Sequence, residues 1–290
     1  MKMLLTFALL VAAVFSPTAP AKTLNIREKL AHSTLVVYEG KQVCKWTEYP
    51  GFFDSDWEWG CEFKSRFTCT ATVIGRGSET DYVALTAGHC FKPEGEHAYY
   101  VAEELADHPV LHEIKIIKAE NDDRYDYAVI TFRSHTEFQP IEVDLTSPSP
   151  VSGTTLLNVN FALGLTKQVV EGPVVSNIIT QPIERMKPLV GRYLVAVGTG
   201  PGASGSALVN PVTGKIVGIV EIVFPATQMP TAAMPTGKTL YNFLEDDSAG
   251  LKPRPPQGKP PEPSVPPTPD TLGSRIDKLL QDILDWLKEN

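Results

Sequence analysis

The amino-acid sequence predicts an all-β protein, a barrel or a sandwich, between about residues 35 and 224. Short apolar runs rich in β-branched residues recur through this region, and glycine, proline, asparagine and aspartate separate them. No long helical period appears among these runs. The runs with the clearest pattern are 34–38, 71–74, 114–117, 128–132, 193–197 and 215–220.

The first 21 residues have the pattern of a signal peptide. Lys2 supplies the positive charge, residues 4–15 are apolar, and residues 19–21 (Ala-Pro-Ala) match a small-x-small cleavage site. We expect cleavage near Ala21 and a mature chain that begins near Lys22, secreted or periplasmic. An uncleaved membrane anchor is the alternative, although the apolar run is too short to cross a bilayer comfortably.

The composition changes after Gly250. Residues 252–270 contain nine prolines and almost no apolar side chains, so residues 250–271 are predicted to form an extended linker. Leucine and isoleucine then recur at helical spacing in residues 272–290, which predicts a short amphipathic helix. Because such a short helix is marginal alone, its apolar stripe needs a partner. That partner is either its own domain or another molecule, a second copy included.

Charge and cysteine content argue against several classes of function. A formal net charge of -8, a pI of about 5.3 and no run of lysine and arginine argue against nucleic-acid binding. An even cysteine count after an export signal predicts two disulfides, for which three pairings exist. Cysteine spacing suits no zinc site. The acidic segment 54–58 lacks the glycine and distal glutamate of a known calcium loop, so neither a metal nor a cofactor is expected.

Three short motifs place a histidine, an aspartate and a serine at the edges of predicted strands. His89 follows an apolar run, Asp126 begins one, and Ser204 lies between glycines in residues 202–206. A serine hydroxyl is a weak nucleophile near neutral pH. His89 can take its proton and return it to the leaving group, while Asp126 holds the ring tautomer. Together, in the order His, Asp, Ser, the motifs predict nucleophilic acyl transfer.

These motifs resemble those of the chymotrypsin-like (trypsin-fold) serine peptidases. The resemblance covers roughly residues 33–224 and rests on the segments 69–74 (CTATVI), 86–90 (TAGHC), 126–129 (DYAV), 202–206 (GASGS) and 218–220 (GIV). It implies two six-stranded antiparallel β-barrels in a protease domain spanning residues 22–249. It also implies a triad of His89, Asp126 and Ser204, with the backbone N–H groups of Gly202 and Ser204 as the oxyanion hole.

The same resemblance implies how the cysteines pair. Cys90 should bond to Cys69, which would tie the histidine loop to the neighbouring strand. Cys44 and Cys61 would then form the second disulfide and bracket an aromatic, acidic hairpin.

The sequence departs from the family pattern beside the nucleophile. Ala203 replaces the aspartate that receives a new N-terminal ammonium in zymogen-type members, so activation by N-terminal insertion is not expected. At Ser206 and Thr199 this chain has the residue types found in the bacterial and viral branches of the family, and it resembles the glutamyl-endopeptidase-like enzymes in particular. That branch also needs a histidine where this chain has Val220, which argues against glutamate specificity.

The resemblance assigns five residues to substrate binding. Gly198 stands where a trypsin-like pocket has its aspartate, so a basic P1 residue would have no counter-ion, and Thr199 follows it. Glu221, Ile222 and Val223 should run beside the substrate backbone, with Val223 narrowing the pocket. We therefore expect a small or medium apolar P1 residue.

These patterns predict an exported serine endopeptidase that works through an acyl-enzyme and needs no N-terminal processing. Its partners would be protein or peptide substrates, and the C-terminal helix would serve self-association or docking. One alternative is a catalytically silent protease-fold binding module that acts through this helix. A second is an esterase or other acyl hydrolase, although the His–Asp–Ser order argues against an α/β-hydrolase.

Overall fold

A computed structural model describes most of the protease domain. It covers residues 25–50, 55–77, 79–92, 98–106, 109–180, 189–222 and 230–246, and it describes side chains at these positions except 41–50, 55–65 and 222. The predicted signal peptide, the linker, the C-terminal helix and Val223 lie outside the described residues. Within the described ranges, no helix is both long enough and apolar enough to cross a membrane.

Six antiparallel strands close the first barrel in the order β1-β2-β3-β6-β5-β4. The strands are β1 Thr34–Pro50, β2 Ser55–Arg76, β3 Asp81–Thr86, β4 Ala98–Ala102, β5 His112–Asn121 and β6 Asp126–Arg133. β3 and β6 are buried along nearly their whole length, on both faces. This explains why their sequences are continuous apolar runs and do not alternate between apolar and polar residues.

Six further antiparallel strands close the second barrel in the order β10-β11-β12-β9-β8-β7. They are β7 Thr155–Asn160, β8 Gln168–Ser176, β9 Tyr193–Val195, β10 Ala207–Asn210, β11 Lys215–Ile222 and β12 Thr231–Pro235. The two barrels confirm the predicted all-β, chymotrypsin-like architecture.

One apolar core runs from the first barrel into the second. It joins Leu85 and Ile130 of the first barrel to Leu157 and Ile219 of the second, all at most 1% exposed. Burying each such side chain is worth about 1.5–3 kcal/mol. The barrels are therefore packed against each other, and groups at their junction can be held at fixed distances.

Two short helices flank the barrels, and no pattern in the sequence predicts them. α1, Ile26–Ser33, begins with a capping box in which the Asn25 side chain accepts from the Glu28 N–H at 3.0 Å. α2, Gly237–Glu245, packs Phe243 against the first barrel, with its ring 5.4 Å from the ring of Tyr127. Helices of eight and nine residues give too weak a periodic signal to stand out.

β1 and β2 form a long hairpin whose backbone register places Cys44 opposite Cys61. This register agrees with the prediction that the two cysteines lie at either end of the aromatic, acidic hairpin. The two side chains lie outside the described side chains, so the Cys44–Cys61 disulfide stays a prediction.

Candidate active site

A disulfide between Cys69 and Cys90 fixes the loop that contains the histidine. After β3 the chain turns through a short 3-10 helix, Gly88–Cys90. Cys90 bonds to Cys69 on β2, with their Cα atoms 6.1 Å apart, which confirms this predicted pairing. A Cβ at Gly88 would lie 1.8 Å from the carbonyl oxygen of Glu120, so glycine is required where the loop passes β5.

Asp126 binds His89 through both carboxylate oxygens. Asp126 is the first residue of β6, with 1% of its side chain exposed, whereas the His89 side chain is 34% exposed. Oδ2 lies 2.7 Å from Nδ1 of the ring, and Oδ1 accepts from the His89 backbone N–H at 2.8 Å. When Nδ1 holds the proton that it shares with this carboxylate, Nε2 is the acceptor of the neutral ring. The imidazole is thus oriented to take a proton at Nε2.

The surroundings of His89 raise the pKa of its imidazole. Burial acts in the opposite direction, because it penalises the charged ring. The hydrogen bond and negative charge of Asp126, helped by the charge of Glu221, outweigh burial and leave the pKa above its ordinary value. Two carboxylates therefore stabilise an imidazolium at this position.

Two consecutive tight turns present Ser204. The turns 200–203 and 203–206 each close with a backbone hydrogen bond, of 2.9 Å and 3.0 Å. Gly202 (φ 96°) and Gly205 (φ 83°) occupy the third position of each turn, where a type II turn requires a positive φ. Ser204 is the second residue of the second turn. The glycines around the serine in the sequence are thus the residues that these turns demand.

Close contacts join the two turns around Ser204, the nucleophile turns, to the loop that contains His89. A Cβ at Gly205 would lie 2.7 Å from the backbone nitrogen of Ala87, two residues before His89. The carbonyl of Ser204 accepts from the N–H of Thr70 on β2 at 2.8 Å. These contacts bring Ser204 of the second barrel beside the His89 loop of the first.

The Ser204 hydroxyl donates to the backbone carbonyl of Glu221 at 3.2 Å. A hydroxyl has a single proton, so in this conformation that proton is directed at Glu221 and not at His89. Hydrogen bonds between catalytic groups are often unmade in unliganded enzymes and form when substrate binds.

The backbone N–H groups of Gly202 and Ser204 have no acceptor among the described residues. Thr70 Oγ1 donates to the carbonyl of Gly202 at 2.8 Å. The Phe67 ring packs on the other side, since a Cβ at Gly202 would lie 2.0 Å from its Cζ. The turn is therefore held in place while both N–H groups stay available to an oxygen anion.

A neutral hydrogen-bond network supports the nucleophile turns from inside the second barrel. Ala203 is buried in an apolar cluster. Ser206 Oγ accepts from Asn158 Nδ2 at 2.9 Å, and Asn158 Oδ1 accepts from Asn160 Nδ2 at 2.5 Å. Asn160 Oδ1 accepts in turn from the N–H of Ala162 at 2.9 Å. These buried amides and this hydroxyl hold the turns without using a charge.

Gly198 and Thr199 lie in the segment just before the Ser204 turns, and their described contacts are with uncharged groups; we call these residues and Thr231 the neutral wall. The carbonyl of Gly198 accepts from Asn160 Nδ2 at 3.4 Å, and a Cβ there would lie 3.8 Å from Cγ1 of Val170. Thr199 Oγ1 shares a hydrogen bond with Thr231 Oγ1 of β12. Amide, hydroxyl and aliphatic groups therefore form this part of the wall.

The side chain of Glu221 is buried, with 7% of it exposed. It forms a buried ion pair with Arg192, a residue that belongs to none of the motifs described above. Only the backbone carbonyl of Glu221 faces Ser204. Ile222 is the last residue of β11, and its side chain lies outside the described ones. No local motif could have found Arg192, because its partner lies 29 residues away in the sequence.

Within the described part of the chain, the side chains of Cys69, His89 and Cys90 place three potential metal-binding atoms within 4.8 Å of one another. The two sulfur atoms are bonded to each other. They are therefore not available as thiolates, which is the form of cysteine that binds metals.

A family model described as "Trypsin-like peptidase domain" matches residues 69–219. This chain belongs to that family. The match includes His89, Asp126 and Ser204, and it confirms the resemblance to chymotrypsin-like serine peptidases. It does not distinguish the glutamyl-endopeptidase-like branch, which stays a prediction. No curated protein matches this chain.

Solved structures of proteases are similar to this chain at low sequence identity. An HtrA-type protease, AlgW with decapeptide, is 18% identical over 74% of this chain and 64% of its own, with a TM-score of 0.56. The serine endoprotease from Yersinia pestis is also 18% identical, over 78% and 66%, with a TM-score of 0.48. The chain thus spans just under two thirds of the length of these proteins.

Proposed function

We propose that this protein is an exported serine endopeptidase that hydrolyses peptide bonds with His89, Asp126 and Ser204 as its triad. The observation that carries the proposal is the two-point contact between Asp126 and His89 beside the turn that presents Ser204. Because the contact engages Nδ1, it leaves Nε2 as the nitrogen that can act as the proposed general base.

The first half of the reaction forms an acyl-enzyme. The Ser204 hydroxyl leaves the Glu221 carbonyl and gives its proton to Nε2 of His89, while Oγ bonds to the scissile carbonyl carbon. The carbonyl oxygen becomes an anion and accepts from the N–H groups of Gly202 and Ser204, each worth about 3 kcal/mol of transition-state stabilisation. His89 then protonates the leaving nitrogen as the C–N bond breaks. Asp126 stays ionised and stabilises the imidazolium.

The second half releases the product. A water molecule gives a proton to His89 while its oxygen bonds to the acyl carbon. His89 returns that proton to Ser204 Oγ as the ester bond breaks. Free serine and a new carboxylate result, so the enzyme is regenerated.

We further propose that the enzyme is active without processing at its N-terminus. In zymogen-type relatives an ammonium–carboxylate pair orders the oxyanion turn, whereas Ala203 lacks a carboxylate and is buried among apolar groups. The Asn158–Asn160–Ser206 network and the Thr70 bond to Gly202 support the turns instead. All of these contacts come from folding alone.

The substrate class is a peptide with a small or medium apolar P1 residue. Support comes from the neutral wall of Gly198, Thr199 and Thr231, beside which Val170 packs. Val220 is buried in the apolar cluster of the second barrel and offers no cation for glutamate. The decapeptide in the AlgW structure is consistent with peptide binding on this fold. A peptide-library cleavage profile dominated by Glu, Lys or Arg at P1 would contradict this assignment.

Export follows from the predicted signal peptide, which would place the mature enzyme outside the cell or in the periplasm. The Cys69–Cys90 disulfide supports an oxidising compartment. The C-terminal helix would then provide self-association or docking through its apolar stripe.

The test is Ser204→Ala, with Ser152→Ala on an exposed loop as the matched control. We expect Ser204→Ala to abolish peptide hydrolysis and fluorophosphonate labelling without unfolding the chain, whereas Ser152→Ala keeps both. Hydrolysis and labelling that persist in purified Ser204→Ala, free of contaminating protease, would remove the proposed mechanism. A folded wild-type protein without labelling would favour the silent binding module.

A further inference from the structure

We infer that Arg192 and Glu221 form an interbarrel clamp, a pair of positioning residues that holds the Asp126 loop of the first barrel against the Ser204 turn of the second. This inference rests on the proposed function, because it assigns these residues a part in aligning the triad. Neither side chain would touch the substrate.

The ion pair is bidentate and buried. Arg192 Nε lies 2.7 Å from Glu221 Oε2, and Nη2 lies 2.8 Å from Oε1. The two side chains are 3% and 7% exposed. Water therefore screens the pair little, and its geometry is that of a planar fork on a carboxylate.

Two of the three remaining N–H donors of Arg192 bind the loop that precedes Asp126, and the third binds the carbonyl of Val190. Nη1 donates to the carbonyls of Asp123 and Val190 at 2.7 and 2.8 Å, and Nη2 donates to the carbonyl of Asp122 at 3.4 Å. With the two bonds to Glu221, all five guanidinium N–H groups have acceptors. A lysine has three donors from a single atom and could not reach these acceptors on three segments.

The bound loop is the tight connection between β5 and β6. Asp122 closes it, since Oδ1 accepts from the N–H groups of Arg124 and Tyr125 at 2.7 and 2.8 Å. Asp126 follows directly and begins β6. Arg192 therefore holds carbonyls three and four residues before the carboxylate that orients His89.

The other end of the clamp is a β-bulge beside the nucleophile. In the pairing of β11 with β12, Val220 and Ile222 oppose Ala233 and Ala232, so Glu221 is the extra residue. A bulge re-aims the side chain of its extra residue. Here it directs the carboxylate towards Arg192, while the Glu221 carbonyl faces the Ser204 hydroxyl.

Charge couples the clamp to the triad. The ionisable groups around Glu221 are Arg192, Asp126, His89 and Tyr127. Burial raises the pKa of Glu221, while the bond to Arg192 opposes that rise. The charge of Glu221 adds to that of Asp126 in raising the pKa of His89. Loss of the clamp should thus change both the geometry and the titration of the histidine.

The test is the double variant Arg192→Met/Glu221→Leu, which leaves no unpaired buried charge and so spares the fold. Lys215→Met/Glu142→Leu is the matched control, because it removes an ion pair at the other end of β11. We expect a kcat lowered about tenfold to a hundredfold, with a thermal midpoint close to wild type, because small misplacements of catalytic groups reduce rates this much. The control pair should leave kcat unchanged.

Arg192→Lys keeps the charge and tests the fork geometry separately. We expect it to lower kcat as well, with KM less affected. A folded double variant or Arg192→Lys with wild-type kcat would overturn the clamp and leave a merely structural ion pair.

Titration of His89 by NMR in a Ser204→Ala background needs no turnover, so it separates this inference from the proposed function. The double variant should lower the pKa of His89 relative to Ser204→Ala alone. An unchanged His89 titration would overturn the coupling even if the protein proved not to be a peptidase.

Discussion

Gly202→Ala should destabilise the protein more strongly than the addition of one methyl group suggests. Gly202 has φ 96°, a conformation that costs an alanine about 1–2 kcal/mol. The new Cβ would also lie 2.0 Å from Cζ and 2.2 Å from Cε1 of Phe67, so the ring or the turn must move. Overpacking of this kind costs about 1–3 kcal/mol. The two effects together predict a loss of about 2–5 kcal/mol in the free energy of unfolding.

The effect on catalysis should exceed the effect on stability. If the turn moves to relieve the contact, the Gly202 N–H leaves the position of the developing oxyanion, and kcat falls about 10²–10³-fold. Gly153→Ala is a matched control, because Gly153 has φ 92° but no neighbour within 4 Å of an added Cβ. It should lose only the strain of about 1–2 kcal/mol and keep its kcat.

Urea unfolding and steady-state peptide hydrolysis, with active sites counted by a fluorophosphonate, measure both quantities. Phe67→Ala combined with Gly202→Ala removes the clash and should recover part of the lost stability. A Gly202→Ala enzyme with wild-type kcat would refute the assignment of this N–H to the oxyanion hole.

Two further predictions concern pH and the C-terminal region. Since the surroundings of His89 raise its pKa, kcat/KM should increase with pH along a limb centred above the ordinary value of about 6.5. The raised pKa of His89 also contributes to the stability of the fold. This contribution is complete at pH values below the pKa of the histidine in the unfolded chain, and it is lost as the pH rises through the pKa in the folded protein. An NMR titration that placed the pKa of His89 at or below 6.5 would contradict both statements. Truncation near Ser248 should leave specific activity unchanged and alter sedimentation, because the proline-rich linker separates the helix from the barrels. Loss of activity in the truncated protein would instead mean that the helix supports the site.

The sequence was most informative where a position admits few residue types. Gly88, Gly202 and Gly205 are fixed by close approach or positive φ, so the motifs around His89 and Ser204 were visible. The apolar runs of the barrels were visible for a similar reason, since both faces of strands such as β3 are buried.

The supports of the site could not be predicted in the same way. Arg192 and Glu221 belong to different segments, and only the closure of the second barrel brings them together. Asn158 and Asn160 alternate along β7 and read as polar strand positions, yet their amides point into the core beneath Ser206. Such roles depend on three-dimensional proximity that no local pattern records. That Glu221 runs beside the substrate backbone stays a prediction, and the pairing of its carboxylate with Arg192 inside the protein is a further role that no motif indicates.

Among the described residues, neutral side chains support the Ser204 turns, and this bears on the pH range of the proposed enzyme. An oxyanion turn that depends on an α-ammonium group loosens once that group loses its proton, at about pH 8. Asn158, Asn160 and Ser206 do not titrate in this range, and the guanidinium of Arg192 stays charged throughout it. With His89 as the proposed general base, activity should therefore fall at acid pH as the imidazole gains a proton, whereas these neutral supports should keep the Ser204 turns in place at alkaline pH.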